Sequence, residues 1–162
     1  MAMRFQNLLW FFPVAISLHN LEEAIWLPEW SRRAGSRHVS VAPRVFRFAV
    51  TVFTALAFAL AWLSFRSGKQ SIWTYLAFGY MVAMLVNVLL PHVAATVALH
   101  RYMPGLATAL VLILPVLSLL VVLALKENCV SGSKAAEYSL GLTVLLLLSI
   151  PVLFRLGKVL RL

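Results

Sequence analysis

Residues 106–125 read LATALVLILPVLSLLVVLAL, a run without a single charged residue. A helix of about 20 apolar residues is long enough to cross the hydrocarbon core of a bilayer. The run is apolar on every side, whereas a strand of a membrane barrel alternates apolar and polar residues with a period of two. This stretch therefore predicts a membrane-spanning helix.

The composition of the whole chain agrees with that prediction. Of its 162 residues, 62% are hydrophobic and only 12% are charged, whereas soluble domains carry about 25% charged residues. Such a chain has too little polar surface to coat a water-soluble globule. We therefore expect the lipid bilayer to be its main partner. The single cysteine excludes an internal disulfide framework.

The chain contains five apolar runs, and the segments between them contain proline, glycine and charged residues. The runs cover residues 5–27, 45–65, 72–99, 106–125 and 135–154. They predict an all-α fold, a polytopic integral membrane bundle of about five transmembrane helices. We expect residues 1–162 to form a single transmembrane domain.

The net charge of +9 follows from membrane topology and gives no reason to expect a nucleic-acid partner. The Lys and Arg residues lie mainly between or beyond the apolar runs. One predicted side holds five of them: Arg4, Arg66, Lys69, Lys126 and Lys134. The other side holds nine: Arg32, Arg33, Arg37, Arg44, Arg47, Arg101, Arg155, Lys158 and Arg161. The positive-inside rule places that second side in the cytoplasm. We therefore predict an inner-membrane protein with its N-terminus outside and its C-terminus in the cytoplasm.

The first apolar run contains a polar cluster at residues 19–23, which read HNLEE. An ionisable residue in mid-membrane costs at least ~2.5 kcal/mol on insertion scales. At about 100° per residue, Glu22 lies about 60° to one side of His19 and Glu23 about 40° to the other. The three side chains share one stripe of the helix, and we expect that stripe to face a partner, a cavity or an ion inside the bundle.

The third apolar run carries the complement to this cluster, Asn87 and then Pro91-His92. Pro91 cannot donate a backbone hydrogen bond, so it frees the carbonyl of Asn87 and favours a kink. His19 and His92 each lie eight residues before the predicted cytoplasmic end of their own span. Two histidines at matched depth on different spans predict a shared intramembrane site.

Two kinds of chemistry suit these residues. His19, Glu23 and His92 form a three-ligand set for a zinc-like divalent metal, with Glu22 as the proton-transfer group and Asn87 orienting substrate or a ligand. Without a metal, the same side chains can perform general acid/base chemistry. The spacing does not match the HExxH motif of zincins. A di-iron site requires about four carboxylates, whereas this cluster contains only those of Glu22 and Glu23.

The motif HNLEE at residues 19–23 resembles the signature of the HXXEE family of small membrane proteins. Asn87, Pro91-His92 and the stretch RYMPGLAT at residues 101–108 are similar to a second characteristic region of that family. The resemblance covers residues 9–115. The family has no established activity, so the resemblance implies positions and no reaction. Those positions are His19, Glu22, Glu23, Asn87 and His92.

The function we favour from the sequence is a membrane-embedded enzyme, isomerase-, cyclase- or hydrolase-like. It would act on a lipophilic small molecule that enters laterally from the bilayer. Two alternatives remain open: a proton or metal-ion transporter or channel that uses the same Glu and His residues, and a non-catalytic membrane subunit. A bundle of five spans is also compatible with a homodimer.

Overall fold

The computed structural model describes residues 4–33 and 42–161, and those two ranges contain helices and connecting turns but no strand. The helices are α1 (Arg4–Leu8), α2 (Phe11–Arg33), α3 (Pro43–Ser67), α4 (Ile72–Asn87), α5 (Ala94–Leu99), α6 (Leu106–Thr108), α7 (Leu114–Lys126) and α8 (Gly132–Val159). A π-helical segment, Val88–Val93, joins α4 to α5, and a second, Ala109–Ile113, joins α6 to α7.

The predicted all-α membrane bundle is confirmed. Within the described residues, four stretches are long and apolar enough to cross a membrane: Pro43–Ser67, Ile72–Leu99, Leu106–Lys126 and Gly132–Val159. Their bounds agree with the predicted spans to within a few residues. The fifth long helix, α2, has 23 residues but is less apolar than the other four because it carries the HNLEE cluster.

The first predicted span differs from the structure at both ends. A turn at residues 9–10 separates α1 from α2, so residues 5–27 are not one helix. The span is predicted to end at residue 27, whereas the helix α2 continues through Pro28 to Arg33. Pro28 has no N–H to donate to the carbonyl of Ala24. The Nε atom of Arg47 on α3 donates to that carbonyl instead, at 3.2 Å, and so satisfies the group that the proline leaves unpaired.

Long helices that follow one another along the chain run in opposite directions. The rings of Trp10 and Phe65 lie 6.2 Å apart between centroids, and the amide of Asn20 donates to Thr54 Oγ1 at 2.8 Å. Residue numbers therefore rise along α2 as they fall along α3. The remaining long helices alternate in the same way, which gives an up-and-down bundle.

The alternation gathers most of the described positive charge at one end of the bundle, which we call the basic end. It contains Arg32, Arg33, Arg44, Arg47, Arg101, Arg155, Lys158 and Arg161. Arg37, which the sequence assigns to the same side, lies outside the described residues. The opposite end contains the start of α1, the turn between α3 and α4, and the turn between α7 and α8.

The third span is broken where Pro91 predicts a kink. Leu90 leaves helical geometry, with φ −129° and ψ 108°, and the Leu90–Pro91 peptide bond is cis. The side chains of Leu89 and Leu90 lie on the outside of the bundle, whereas that of His92 is fully buried. His92, just after the break, thus faces the interior of the bundle.

Candidate metal site

Three side chains meet in the half of the bundle nearer the basic end: His19 and Glu23 from α2, and His92 from the broken third span. Glu23 Oε1 lies 3.8 Å from His19 Nε2 and 3.3 Å from His92 Nε2. One ligand atom from each residue lies within 4.8 Å of the others. Zinc ligands lie about 2.0–2.2 Å from the metal, so a movement of a few tenths of an ångström would fit these atoms around one ion.

The histidines of this cluster are buried, and part of their hydrogen-bonding capacity is unused. His19 is 1% exposed and His92 is 0% exposed. His19 Nε2 and both ring nitrogens of His92 have no hydrogen-bond partner among the described residues. Buried polar atoms are almost always paired in folded proteins. Unpaired nitrogens beside a carboxylate are the donor atoms that a metal ion would take.

Glu22 points away from this cluster and toward the turn between α5 and α6. Its Oε1 accepts hydrogen bonds from the Tyr102 hydroxyl at 2.5 Å and from the Gly105 N–H at 2.9 Å. Its Oε2 accepts from the N–H of Thr108 at 3.0 Å and from the Thr108 hydroxyl at 2.5 Å. Four donors therefore surround this carboxylate, which favours an anchoring role over the proton-transfer role expected from the sequence.

Thr108 connects Glu22 to the histidine pair. Its Oγ1, which contacts Glu22, also lies 3.0 Å from His19 Nδ1. Sequence reasoning assigned no role to Tyr102, Gly105 or Thr108, although all three lie in the stretch RYMPGLAT that supports the family resemblance. A Pro-Gly turn followed one helical turn later by a threonine was the available signal.

Gly105 brings main chain into direct contact with the three candidate ligands. Its φ is +95°, a conformation that residues with a side chain rarely adopt. A Cβ atom there would lie 2.5 Å from His92 Cε1 and 3.1 Å from both Glu23 Cγ and His19 Cε1. The absence of a side chain at this position is therefore a packing requirement of the cluster.

Tyr102, in the turn beside the cluster, is held in its neutral form. Burial raises the pKa of its hydroxyl above the ordinary 10.0, and the hydrogen bond to Glu22 raises that pKa further. Tyr102 therefore remains a hydrogen-bond donor to Glu22 at neutral pH.

Asn87 lies beside the cluster without joining it. It lines a cavity of about 380 Å³ together with His19 and Glu23, and within the described ranges no hydrogen bond to its side chain is formed. The cavity lies between α2, α3, the third span and α8. Its wall is mainly apolar, with Leu27, Phe46, Phe53, Met84, Leu146 and Phe154 among the lining residues.

This cavity opens on the side of the bundle rather than at one of its ends. Val86 and Leu90 of the third span and Leu147 and Ile150 of α8 line the cavity and are also exposed on the outer surface. The third span and α8 are both long and apolar enough to span a membrane.

Comparisons with known proteins agree with the motif. Residues 10–120 match the family described as "Protein of unknown function with HXXEE motif". The chain is also 38% identical to the uncharacterized protein YrkK of Bacillus subtilis (strain 168) over 147 residues, which cover 91% of this chain and 93% of that protein. No solved structure matches the chain. With its HNLEE signature on α2 and a match over most of its length, the chain belongs to the HXXEE family.

Proposed function

We propose that this protein is a membrane-embedded enzyme that holds one divalent, zinc-like metal ion on His19, Glu23 and His92 and acts on a lipophilic small molecule. The observation that carries the proposal is the set of three buried ring nitrogens that form no hydrogen bond with the described residues and lie beside the Glu23 carboxylate. A cluster that served only to hold helices together would pair these atoms with one another or with main chain.

The donor set supports a catalytic type of metal site. Two imidazoles and one carboxylate are a known ligand set of catalytic zinc, in which a fourth position stays open for water or substrate. His19 and Glu23 are four residues apart, so they project from the same face of α2. An ion held there would polarise an oxygen of the substrate or lower the pKa of a bound water.

The cavity supports a lipophilic substrate. Its walls are mainly apolar and its opening faces the lateral surface of the bundle. Ligand pockets commonly combine an apolar lining with a few polar groups that fix orientation. Asn87 supplies such a group beside Glu23, and we assign it the role of orienting the substrate.

The sidedness of the site follows from the distribution of charge. The cluster lies nearer the basic end, which the positive-inside rule assigns to the cytoplasm. We therefore propose that the reaction takes place in the cytoplasmic leaflet of the inner membrane, with the N-terminus outside.

The interior of the bundle favours an enzyme over a transporter. Transport through this cluster requires a polar route onward to the opposite end. The side chains buried between the cluster and that end are mainly apolar and include Phe12, Ile16, Met81, Ile113, Leu117 and Leu120. Such a core supports a site that opens to lipid and not a path across the membrane.

Metal analysis of the purified protein tests the metal part of the proposal. Detergent-solubilised wild type, loaded with zinc and passed through a desalting column, should retain about one ion per chain, and Glu23→Gln should retain none. His100→Ala is the matched control, because it removes a histidine that is exposed and lies outside the cluster. Loss of zinc from wild type, or equal retention in Glu23→Gln, would contradict the metal site.

The enzymatic part needs a separate readout. Lipid extracts of cells that express wild type should differ in at least one lipophilic species from extracts of cells that express Glu23→Gln at the same level. Identical extracts, with zinc bound only by wild type, would contradict an enzyme and favour a structural metal.

A further inference from the structure

We infer that Glu22 and Thr108 are positioning residues that hold the proton of His19 on Nδ1 and so direct the Nε2 lone pair into the cluster. The consequence for metal binding rests on the proposed function, whereas the position of the proton on the ring does not. The two adjacent glutamates thus have different tasks, because Glu23 faces the ion and Glu22 orients a ligand of that ion.

The hydrogen bonds of Thr108 determine where the ring proton lies. A threonine hydroxyl donates one hydrogen and accepts at its lone pairs. Thr108 Oγ1 contacts Glu22 Oε2 at 2.5 Å, the Gly105 carbonyl oxygen at 3.2 Å and His19 Nδ1 at 3.0 Å. The carbonyl oxygen can only accept a hydrogen bond, and the same holds for an ionised carboxylate. The hydroxyl hydrogen therefore goes to an oxygen, and His19 Nδ1 must be the donor in the third contact.

The surroundings of Glu22 keep it an acceptor. Apart from the Thr108 hydroxyl, it receives the N–H groups of Gly105 and Thr108 and the hydroxyl of Tyr102. Main-chain N–H groups can only donate, and each of these two is directed at a different carboxylate oxygen. Hydrogen bonds of this kind favour the ionised carboxylate.

The other edge of the His19 ring faces the proposed ion. A neutral imidazole with its proton on Nδ1 carries a lone pair on Nε2, the atom that lies 3.8 Å from Glu23 Oε1 and has no hydrogen-bond partner among the described residues. Histidines that bind metals usually donate their other N–H to an outer partner, and loss of that partner typically costs about 10–100-fold in metal affinity. The chain from Glu22 through Thr108 has the form of such an outer partner.

Nitrogen NMR of metal-free protein tests the proton position directly. The chain has four histidines, so ¹⁵N-histidine labelling gives few signals, and His19→Ala assigns the one of interest. At mildly alkaline pH, where histidines are neutral, wild type should show the Nδ1–H form of His19. Thr108→Ser keeps the hydroxyl and should keep that form, whereas Thr108→Val should give the Nε2–H form or a mixture. An Nε2–H form in wild type would overturn the inference.

A zinc competition titration on the same variants tests the consequence. Thr108→Val should bind zinc about 10–100-fold more weakly than wild type, while Thr108→Ser should stay close to wild type. Unchanged affinity in Thr108→Val would contradict the positioning role. If wild type shows the Nδ1–H form but binds no zinc, the proposed function fails and the proton assignment stands. If wild type binds zinc with His19 protonated on Nε2, the proton assignment fails and the metal site stands.

Discussion

Two of the groups of polar side chains buried in the described part of the bundle, one in each half, differ in how completely they are hydrogen-bonded. Near the end opposite the basic end, the Tyr75 hydroxyl donates to Gln70 Oε1 at 2.5 Å, lies 2.9 Å from Ser131 Oγ and accepts from the Ser131 N–H at 3.0 Å. In the other half, three ring nitrogens of His19 and His92 form no hydrogen bond with any described residue.

Burial does not distinguish the two groups, because Tyr75 is 3% exposed and His19 is 1% exposed. Pairing does. A network in which each group has a partner holds helices together and needs nothing more. A buried group with unpaired atoms carries a desolvation cost, which a ligand would offset. The comparison therefore favours a folding role for the Tyr75 network and supports the binding role that we propose for the His19 cluster.

The largest effect expected from this difference is the loss of metal binding in His92→Ala. This substitution removes one of three proposed ligands, so zinc affinity should fall by more than the about 100-fold that marks the upper range for outer partners. A zinc competition titration of detergent-solubilised protein measures it. Tyr75→Phe, an equally buried position in the paired network, is the control and should retain wild-type affinity.

Zinc that binds at the His19 cluster should stabilise the folded protein. Binding to the folded state alone raises stability by about 2.7 kcal/mol at a free zinc concentration 100 times Kd. The apparent melting temperature of wild type in detergent should therefore rise with zinc and fall back after chelation. The melting temperature of Glu23→Gln should not respond. An equal rise in the melting temperature of wild type and Glu23→Gln would mean that zinc stabilises the protein by binding at another site.

Gly105→Ala should damage the cluster through its packing. The added Cβ would overlap His92, and the residue would have to keep a positive φ, which together cost about 2 kcal/mol or more. Thermal unfolding and zinc titration should both detect the change. Gly141→Ala is the matched control because a Cβ at Gly141 meets nothing within 4 Å. Wild-type zinc affinity in Gly105→Ala would contradict the proposed ligand set.

The smallest effect concerns the paired network. Tyr75→Phe removes a hydroxyl that Gln70 and Ser131 share, and the expected cost is about 1 kcal/mol of stability, seen as a lower melting temperature. The zinc-dependent rise in melting temperature should keep its wild-type size. A smaller rise would mean that the two halves of the bundle are coupled.

The core of the site follows from the sequence because it rests on helical periodicity and depth. His19 and Glu23 share a face at a spacing of four residues, and His92 lies at the matching depth beside a proline that breaks its helix. These relations follow from positions along individual helices, so they can be recognised before the tertiary structure is known. The spans followed from the apolar runs for the same reason.

What the sequence did not reveal depends on main-chain groups and on contacts between helices. Glu22 is held by the N–H groups of Gly105 and Thr108, and every residue except proline has such a group. The Ala24 carbonyl that Pro28 leaves without its helical partner accepts from Arg47, a side chain of the next helix. Neither contact has a signature in residue type or spacing, so both required the tertiary structure.

The order of residues around Glu22 also bears on how the chain is made. Synthesis proceeds from the N-terminus, so the first long helix enters the membrane with its glutamates before residues 88–108 exist. Ionisable side chains in mid-bilayer are costly, and this helix gains its donors from Tyr102, Gly105 and Thr108 only after the third span is in place. A nascent chain that stops short of Thr108 would therefore present the Glu22 carboxylate without its full set of donors.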